Sequence, residues 1–225
     1  MFIQFLIEDQ SGEILLEEVM KKYNEERTAD TVIYKIKAYR GIGGFKKGKN
    51  IENIISEKLL TDLPKRLRAF NTIFMNNPEA ALFIIMDNDR RDTEMFRAEL
   101  EKCAEDARIK IDHVFCIAVE EMEAWLLGDV SAIKLAYPKL EDRINTKSLN
   151  YQQDSICGTW EVLADMLSKG GRKELQKKYS TPKDIGIRKA EWAKRIGSKM
   201  QIRNNKSPSF NFFINELDSR CYVKI

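Results

Sequence analysis

The sequence predicts an α/β fold with a mostly parallel four-stranded sheet, flanked by helices and followed by a helical C-terminal half. Three observations lead to this prediction. Apolar, β-prone runs alternate with segments of helical period in the first half, residues 81–86 form the most apolar run of the chain, and the second half shows only helical patterns. Strands separated by helices are typical of parallel sheets with right-handed crossovers, and a continuous apolar run is typical of a central strand covered on both faces.

Each of the first two predicted strands ends in a polar segment. Residues 2–7 are apolar or β-prone and stop at Glu8, after which the apolar positions continue with helical period. Residues 31–36 are rich in β-branched side chains and lead into residues 39–49, whose four glycines rule out a regular element. We therefore expect strand, turn, helix and strand, followed by a flexible basic loop.

Two further strands are predicted, and each follows a helical segment. Helical spacing from residue 51 to about residue 76 indicates two helical pieces separated by a break at Pro64. The third strand covers residues 81–86. A helix from about residue 92 to 108 then precedes a fourth strand over residues 111–119. The four strands and their helices complete the predicted sheet.

The pattern of the second half of the sequence predicts helices. It contains no convincing strand pattern before residues 222–223. No linker rich in proline or serine separates it from the first half. We therefore predict an α/β core over residues 1–128 and a helical region over residues 129–225 that packs on this core. Helical patterns cover residues 129–137, 159–178, 187–199 and 208–217.

Composition narrows the class of protein. Residues of hydrophobic type make up 43% of the 225 and charged residues 32%, which is typical of one globular domain, and the net charge of +3 neither requires nor excludes nucleic acid. Four cysteines without a CxxC motif and a single histidine argue against a zinc site and against serine or cysteine hydrolase chemistry. No apolar run reaches the roughly 20 residues that span a bilayer, so we expect a cytoplasmic protein without membrane contact.

Acidic residues stand at the ends of three predicted strands. Glu8 follows the first strand, and Asp87 and Asp89 follow the third. Glu120, Glu121 and Glu123 follow the fourth. Ligands of open parallel sheets bind at these strand ends, and facing carboxylates repel unless they are protonated or bridged by a cation. Oxygen ligands suit Mg²⁺ or Mn²⁺. Any one of these acids is equally well explained as a helix cap, but the three strand ends together favour a metal site.

Basic residues near these acids are candidates for phosphate binding. Lys46 and Lys47 lie in the glycine-rich loop, which is no Walker A motif and is also explained as a solvated surface loop. Arg90 and Arg91 follow the third strand and are expected to face a nucleic-acid backbone, unless one of them pairs with Asp92 or Glu94. In the second half, basic residues at helical spacing, including Lys189, predict a solvated face or a cationic wall for a nucleic-acid strand.

The acidic strand ends resemble the Toprim signature, which is a glutamate after the first strand and a D-x-D motif after the third. Residues 6–15 also resemble the opening of small uncharacterised Toprim-like bacterial proteins, which usually read L-V-E-G-x-T-E. Residues 118–127 and 207–210 match later parts of the same proteins. Two departures are that Asp9 replaces the expected glycine and that Glu13 is displaced by one position. The resemblance implies a Toprim-like fold related to the overcoming-lysogenization-defect (OLD) nucleases.

The resemblance further implies a Mg²⁺-dependent nuclease of DNA or RNA, with a role in phage defence. Glu8 would act as general acid/base or metal ligand, Asp87 and Asp89 would hold Mg²⁺, and Glu123 would complete the coordination shell. The alternative is a non-catalytic Toprim-like subunit that binds nucleic acid or an ABC- or OLD-type ATPase encoded alongside, since the chain has no P-loop of its own. Hydrolysis of small phosphate esters is not separable from nuclease activity by sequence.

Overall fold

The sheet has four parallel strands in the order β2-β1-β3-β4. This confirms the predicted four-stranded sheet, and within the described residues every strand pair is parallel. A computed structural model describes residues 1–27, 31–41, 43, 58–168, 170–178 and 182–221. The strands are β1 (Phe2–Ile7), β2 (Ile33–Ala38), β3 (Ala80–Asp87) and β4 (Asp112–Ala118).

Helices flank the sheet and make up the C-terminal half, as predicted. The strand proposed for residues 222–223 lies outside the described residues. The helices of the first half are α1 (Gln10–Glu25), α2 (Leu59–Phe74) and α3 (Thr93–Asp106). Those that follow are α4 (Glu123–Leu127), α5 (Val130–Ala136), α6 (Glu141–Ser148), α7 (Thr159–Leu167), α8 (Gly171–Lys178), α9 (Pro182–Gly197) and α10 (Pro208–Cys221), with a 3₁₀ turn at Pro138–Leu140.

Two of the predicted helix boundaries are wrong. Helix α2 continues through Pro64, because the proline lies in its second turn and removes one backbone hydrogen bond while the buried Leu63 and Leu67 hold the helix on the sheet. Conversely, the single helix predicted over residues 159–178 is divided into α7 and α8. Gly171 starts α8 with a φ of +62°, a left-handed conformation that interrupts helical period.

The sheet separates two apolar clusters. Side chains alternate along a strand, so Phe83 and Ile85 of β3 point to one face, whereas Leu82 and Ile84 point to the other. Helix α1 and the C-terminal helices cover the first face, and α2 and α3 cover the second. Because both faces are covered, β3 is buried along its apolar length, which explains why it is the most hydrophobic run of the sequence.

Aromatic side chains attach the C-terminal half to the sheet. The ring of Phe213 on α10 lies 6.2 Å from that of Phe5, 6.1 Å from that of Phe83 and 5.2 Å from that of Trp125. Trp125 is fully buried and donates its indole N–H to the hydroxyl of Ser209 at 3.0 Å. The helical region is thus part of the same hydrophobic core as the sheet.

Gly128 allows a close contact between α4 and the segment before α10, which leads to a prediction about stability. A Cβ at this position would overlap the side chain of the buried Asn205 and come within 2.9 Å of the Ser207 nitrogen. We expect Gly128→Ala to lower the free energy of unfolding by about 1–3 kcal/mol, since both neighbours are held by hydrogen bonds. Urea denaturation measures this change.

The matched control is Gly186→Ala on α9, where an added Cβ meets nothing within 4 Å. We expect this variant to be neutral or stabilised by roughly 0.5–1 kcal/mol, because alanine favours helix over glycine. Equal effects of the two substitutions would contradict the close packing assigned to Gly128.

Candidate functional site

The candidate site lies where the strand order of the sheet reverses. From β1 the chain moves outward to β2, whereas from β3 it moves in the opposite direction to β4, so the reversal falls between β1 and β3. Glu8 follows β1 directly and Asp87 is the last residue of β3. The Asp87 backbone N–H donates a hydrogen bond to Glu8 Oε2 at 3.1 Å. Both acids therefore stand at the position where open α/β sheets bind their ligands.

Asp9 has the helix-capping role that was the alternative explanation for acids at strand ends. Its carboxylate accepts the backbone N–H of Gly12 at 2.7 Å and the hydroxyl of Ser11 at 2.8 Å. This cap fixes the first turn of α1. Because Asp9 caps α1, the start of this helix does not require the carboxylate of Glu8, which directly follows the strand.

Asp87 is a buried carboxyl group with an unsatisfied acceptor. Its Oδ1 atom is inaccessible to solvent and accepts no hydrogen bond within the described part of the chain. Burial raises the pKa of Asp87 well above its usual range and the neighbouring charge of Glu8 raises it further, while Lys189 opposes both. A buried acid beside a second acid favours either a proton or a cation at this place.

Lys189 of α9 enters the acidic site, although the sequence assigned it only to a basic helical face. Its side chain is 14% exposed, and its Nζ lies 3.2 Å from Glu121 Oε1 and 3.1 Å from Glu123 Oε2. Burial disfavours the charged form, but Glu123 and Glu121 outweigh it and raise the pKa of Lys189 above its ordinary value. The lysine therefore stays charged and offsets part of the acidic charge.

Glu121 is a second acid of this site with a raised pKa. Burial raises its pKa to about 7, with Lys189 lowering it and Glu123 raising it. Oε2 of Glu121 is buried and accepts no hydrogen bond from the described residues, whereas Oε2 of Glu123 faces Lys189 Nζ. The site thus holds more negative charge than its lysine neutralises.

This charge imbalance predicts how stability depends on pH in the absence of metal. The folded protein binds the Glu121 proton more tightly than the unfolded chain, whose carboxyl titrates near 4.5. The free energy of unfolding should therefore fall as the pH rises from about 4.5 to 7, and Asp87 acts in the same direction. Urea unfolding at pH 5 and pH 7.5 in EDTA measures the slope. Glu121→Gln should reduce this slope, and an identical slope in the variant would contradict the assignment.

Glu120 uses its carboxylate to hold the start of α7. It accepts the backbone N–H of Gly158 at 2.8 Å, that of Thr159 at 2.7 Å and that of Cys157 at 3.3 Å. The first backbone N–H groups of a helix have no partner within the helix, and a side chain that accepts hydrogen bonds from them has a structural role. This geometry favours helix capping over the metal-ligand role that the sequence predicted for Glu120.

Asp89 and Arg91 pair with each other beside the site. Asp89 has a φ of +51°, its side chain is 50% exposed, and Arg91 Nη1 lies 2.8 Å from its Oδ2. The Arg91 guanidinium also lies 4.9 Å from the centre of the Phe96 ring. Arg91 therefore pairs with Asp89 and not with Asp92 or Glu94, whereas Arg90 is exposed. The metal-ligand role of Asp89 stays a prediction.

Lys46 and Lys47 lie outside the described residues. Their predicted phosphate contact stays a prediction.

Glu8 and Asp87 fit a divalent cation. Among the described residues, no three Asp, Glu, His or Cys side chains form a group that could hold a metal ion. Mg²⁺, however, is usually held by one or two carboxylates, with water and substrate phosphate as the other ligands. The unsatisfied Oδ1 of Asp87 next to Glu8 meets that smaller requirement. Glu123 lies close enough to influence the pKa of Asp87.

The fold and the site together define an open α/β protein with an acidic cluster at the point where the strand order reverses. The chain belongs to the family described as domain of unknown function (DUF4276), whose model matches residues 7–218. No curated protein and no solved structure matches the chain. In the part of the chain that the structure describes, no helix has the length and apolar character needed to cross a membrane. The Toprim resemblance remains a prediction from the sequence.

Proposed function

We propose that this protein is a Mg²⁺- or Mn²⁺-dependent phosphodiesterase of nuclease type. The observation that carries the proposal is the pair Glu8 and Asp87 at the reversal of strand order, with a buried carboxylate oxygen of Asp87 that accepts no hydrogen bond from the described residues. The pKa of Asp87 is raised by burial and, further, by the charge of Glu8, and a divalent cation offsets both effects. Binding of such an ion therefore stabilises a site that is otherwise unfavourable when ionised.

The residues of the site would have different roles in this reaction. Glu8 and Asp87 would hold the ion, and Glu123 would support it directly or through water. When bound, the metal neutralises a phosphate oxygen and lowers the pKa of an attacking water. Lys189 holds the carboxyl groups of Glu121 and Glu123 in place through its ion pairs at 3.2 and 3.1 Å.

Three features support nucleic acid as the substrate. A phosphodiester needs positive charge beside the metal, and the exposed Arg90 follows Asp87 by only three residues. The resemblance of residues 6–15 to Toprim-like proteins supports the same activity and extends the proposal to phage defence in the cytoplasm. Lys46 and Lys47 of the glycine-rich loop, which the sequence predicts to bind phosphate, would add further contacts. DNA and RNA both satisfy this chemistry.

The proposal is tested by incubating the purified protein with single-stranded DNA, duplex DNA, tRNA and bis-p-nitrophenyl phosphate. We expect cleavage of a nucleic acid with Mg²⁺ or Mn²⁺ and none in EDTA. Turnover of the small ester alone would assign a phosphoesterase of small molecules instead. Absence of metal-dependent cleavage of all four substrates would contradict the proposal.

A second candidate function is a non-catalytic subunit that binds nucleic acid or an ATPase partner. The observation in its favour is Lys189, a protein cation that already neutralises part of the acidic cluster. The ATPase of ABC or OLD type follows only from the sequence resemblance. Stable co-purification with such a partner, together with no detectable binding of Mn²⁺, would favour this function over the first.

A further inference from the structure

A polar cleft of about 470 Å³ adjoins the candidate metal site. Arg90 from the turn after β3, Trp160 from α7 and Arg172 from α8 line it, and Glu121 connects it to the acidic cluster around Lys189. The volume lies within the range of sites that bind nucleotides and other small ligands. The cleft thus offers an aromatic face and two guanidinium groups next to the proposed centre of reaction.

Three of the four acids that line the cleft already have partners. Asp89 is paired with its neighbouring arginine, Glu120 accepts three backbone N–H groups, and Glu121 is paired with the buried lysine of α9. The fourth, Glu161, is half-buried, and its Oε2 is inaccessible to solvent and accepts no hydrogen bond from the described residues. Most of the negative charge in the lining is therefore offset by groups of the protein itself.

The two arginines that line the cleft differ from these acids in exposure and in pairing. Arg90 and Arg172 are both exposed, and the described residues provide no ion pair for either guanidinium. Two such groups on one cleft attract an anion that can reach both. A phosphodiester chain meets this requirement, because it carries one charge at each linkage.

Trp160 differs from the other two tryptophans of the chain. Trp125 and Trp192 are 0% and 3% exposed, whereas Trp160 is only partly buried. Its indole packs partly against the first apolar cluster and also lines the cleft. An indole supported from behind and open in front is a platform on which a flat ring can stack.

We propose that this cleft binds one nucleobase of a single-stranded nucleic acid on Trp160, with the adjoining phosphates on Arg90 and Arg172. The inference rests on the proposed nuclease function and deepens it, since it names single strands as the substrate class. Bases of a single strand stack on aromatic side chains in a way that tolerates any sequence. A base inside a duplex is already stacked on both faces and does not enter.

Binding of a fluorescein-labelled oligo-dT strand to the full-length protein in EDTA, followed by fluorescence anisotropy, tests the inference. We expect Trp160→Ala to weaken binding by roughly 5- to 150-fold, which corresponds to the loss of one stacked base. Arg172→Ala should weaken binding. It should also reduce the slope of log affinity against log salt concentration by about one, which corresponds to one phosphate contact. Lys102→Ala on the surface of α3 is the matched control and should bind like the wild type.

The outcomes separate this inference from the nuclease proposal. Unchanged affinity in both Trp160→Ala and Arg172→Ala, or tighter binding of an oligo-dA/oligo-dT duplex than of the single strand, would overturn the cleft assignment. Arg172→Ala keeps the test decisive if the tryptophan variant does not fold. Loss of affinity in these variants without any Mg²⁺-dependent cleavage by the wild type would support the cleft and contradict the nuclease. Cleavage of single strands that is unaffected by either substitution would contradict the cleft alone.

Discussion

We expect Asp87→Asn to lower the rate of metal-dependent phosphodiester cleavage by about 100- to 1,000-fold, which corresponds to the several kcal/mol that a metal contributes to a phosphoryl transition state. Asparagine has the same shape but loses the charge that holds the cation. Because burial already favours the neutral form of Asp87, the substitution should leave the free energy of unfolding unchanged or raise it. Single-turnover cleavage at saturating Mn²⁺, with urea denaturation of the same sample, measures both effects.

Two further variants make this result specific. Asp106→Asn removes the same charge from the exposed end of α3, where the carboxylate pairs with Lys102 at 3.4 Å, and should cleave at the wild-type rate. Asp89→Asn should have a smaller effect than Asp87→Asn, because Asp89 is half-exposed and paired with Arg91. A wild-type rate in Asp87→Asn would contradict the role of this residue, and an equal loss in Asp106→Asn would show that the effect is not local.

We expect Lys189→Met to lower the free energy of unfolding at pH 7 by about 3–5 kcal/mol, which is typical when one partner of a buried ion pair is removed. Methionine keeps most of the volume of the side chain but leaves Glu121 and Glu123 without their cation. The loss should diminish at pH 5, because protonation then neutralises Glu121. Thermal and urea unfolding at the two pH values measures the effect.

Lys21→Met on α1 is the matched control. Lys21 also pairs with an acid, Glu25, but both side chains are exposed, at 69% and 62%. Surface ion pairs contribute little, so this variant should lose no more than about 1 kcal/mol. Similar losses in Lys189→Met and Lys21→Met, or a Lys189→Met loss that does not change with pH, would contradict the buried pairing.

The parts of the fold that local patterns determine were predictable from the sequence. The unbroken apolar run of β3 has a local cause, because a strand covered on both faces needs apolar side chains at every position. The position of Glu8 and Asp87 at one edge of the sheet was also predictable, for a different reason. Once the strands run parallel, their carboxyl ends meet at one edge of the sheet.

The parts that depend on contacts between distant segments were not predictable. The spacing of basic residues on α9 does not show that Lys189 enters an acidic site more than 60 positions away, because only the packing of α9 decides which side is buried. The same limit applies to Glu120, whose backbone partners belong to the start of α7. Periodicity also does not show that Pro64 is tolerated when the helix around it is anchored on the sheet.

Isothermal titration of Mn²⁺ into the metal-free protein tests the central claim most directly. The account predicts one binding site in the wild type, binding at least about tenfold weaker in Glu8→Gln and in Asp87→Asn, as expected when one of two charged ligands is lost, and wild-type binding in Asp106→Asn. Absence of binding to the wild type, or equal affinity in Glu8→Gln and the wild type, would contradict a divalent ion held by Glu8 and Asp87.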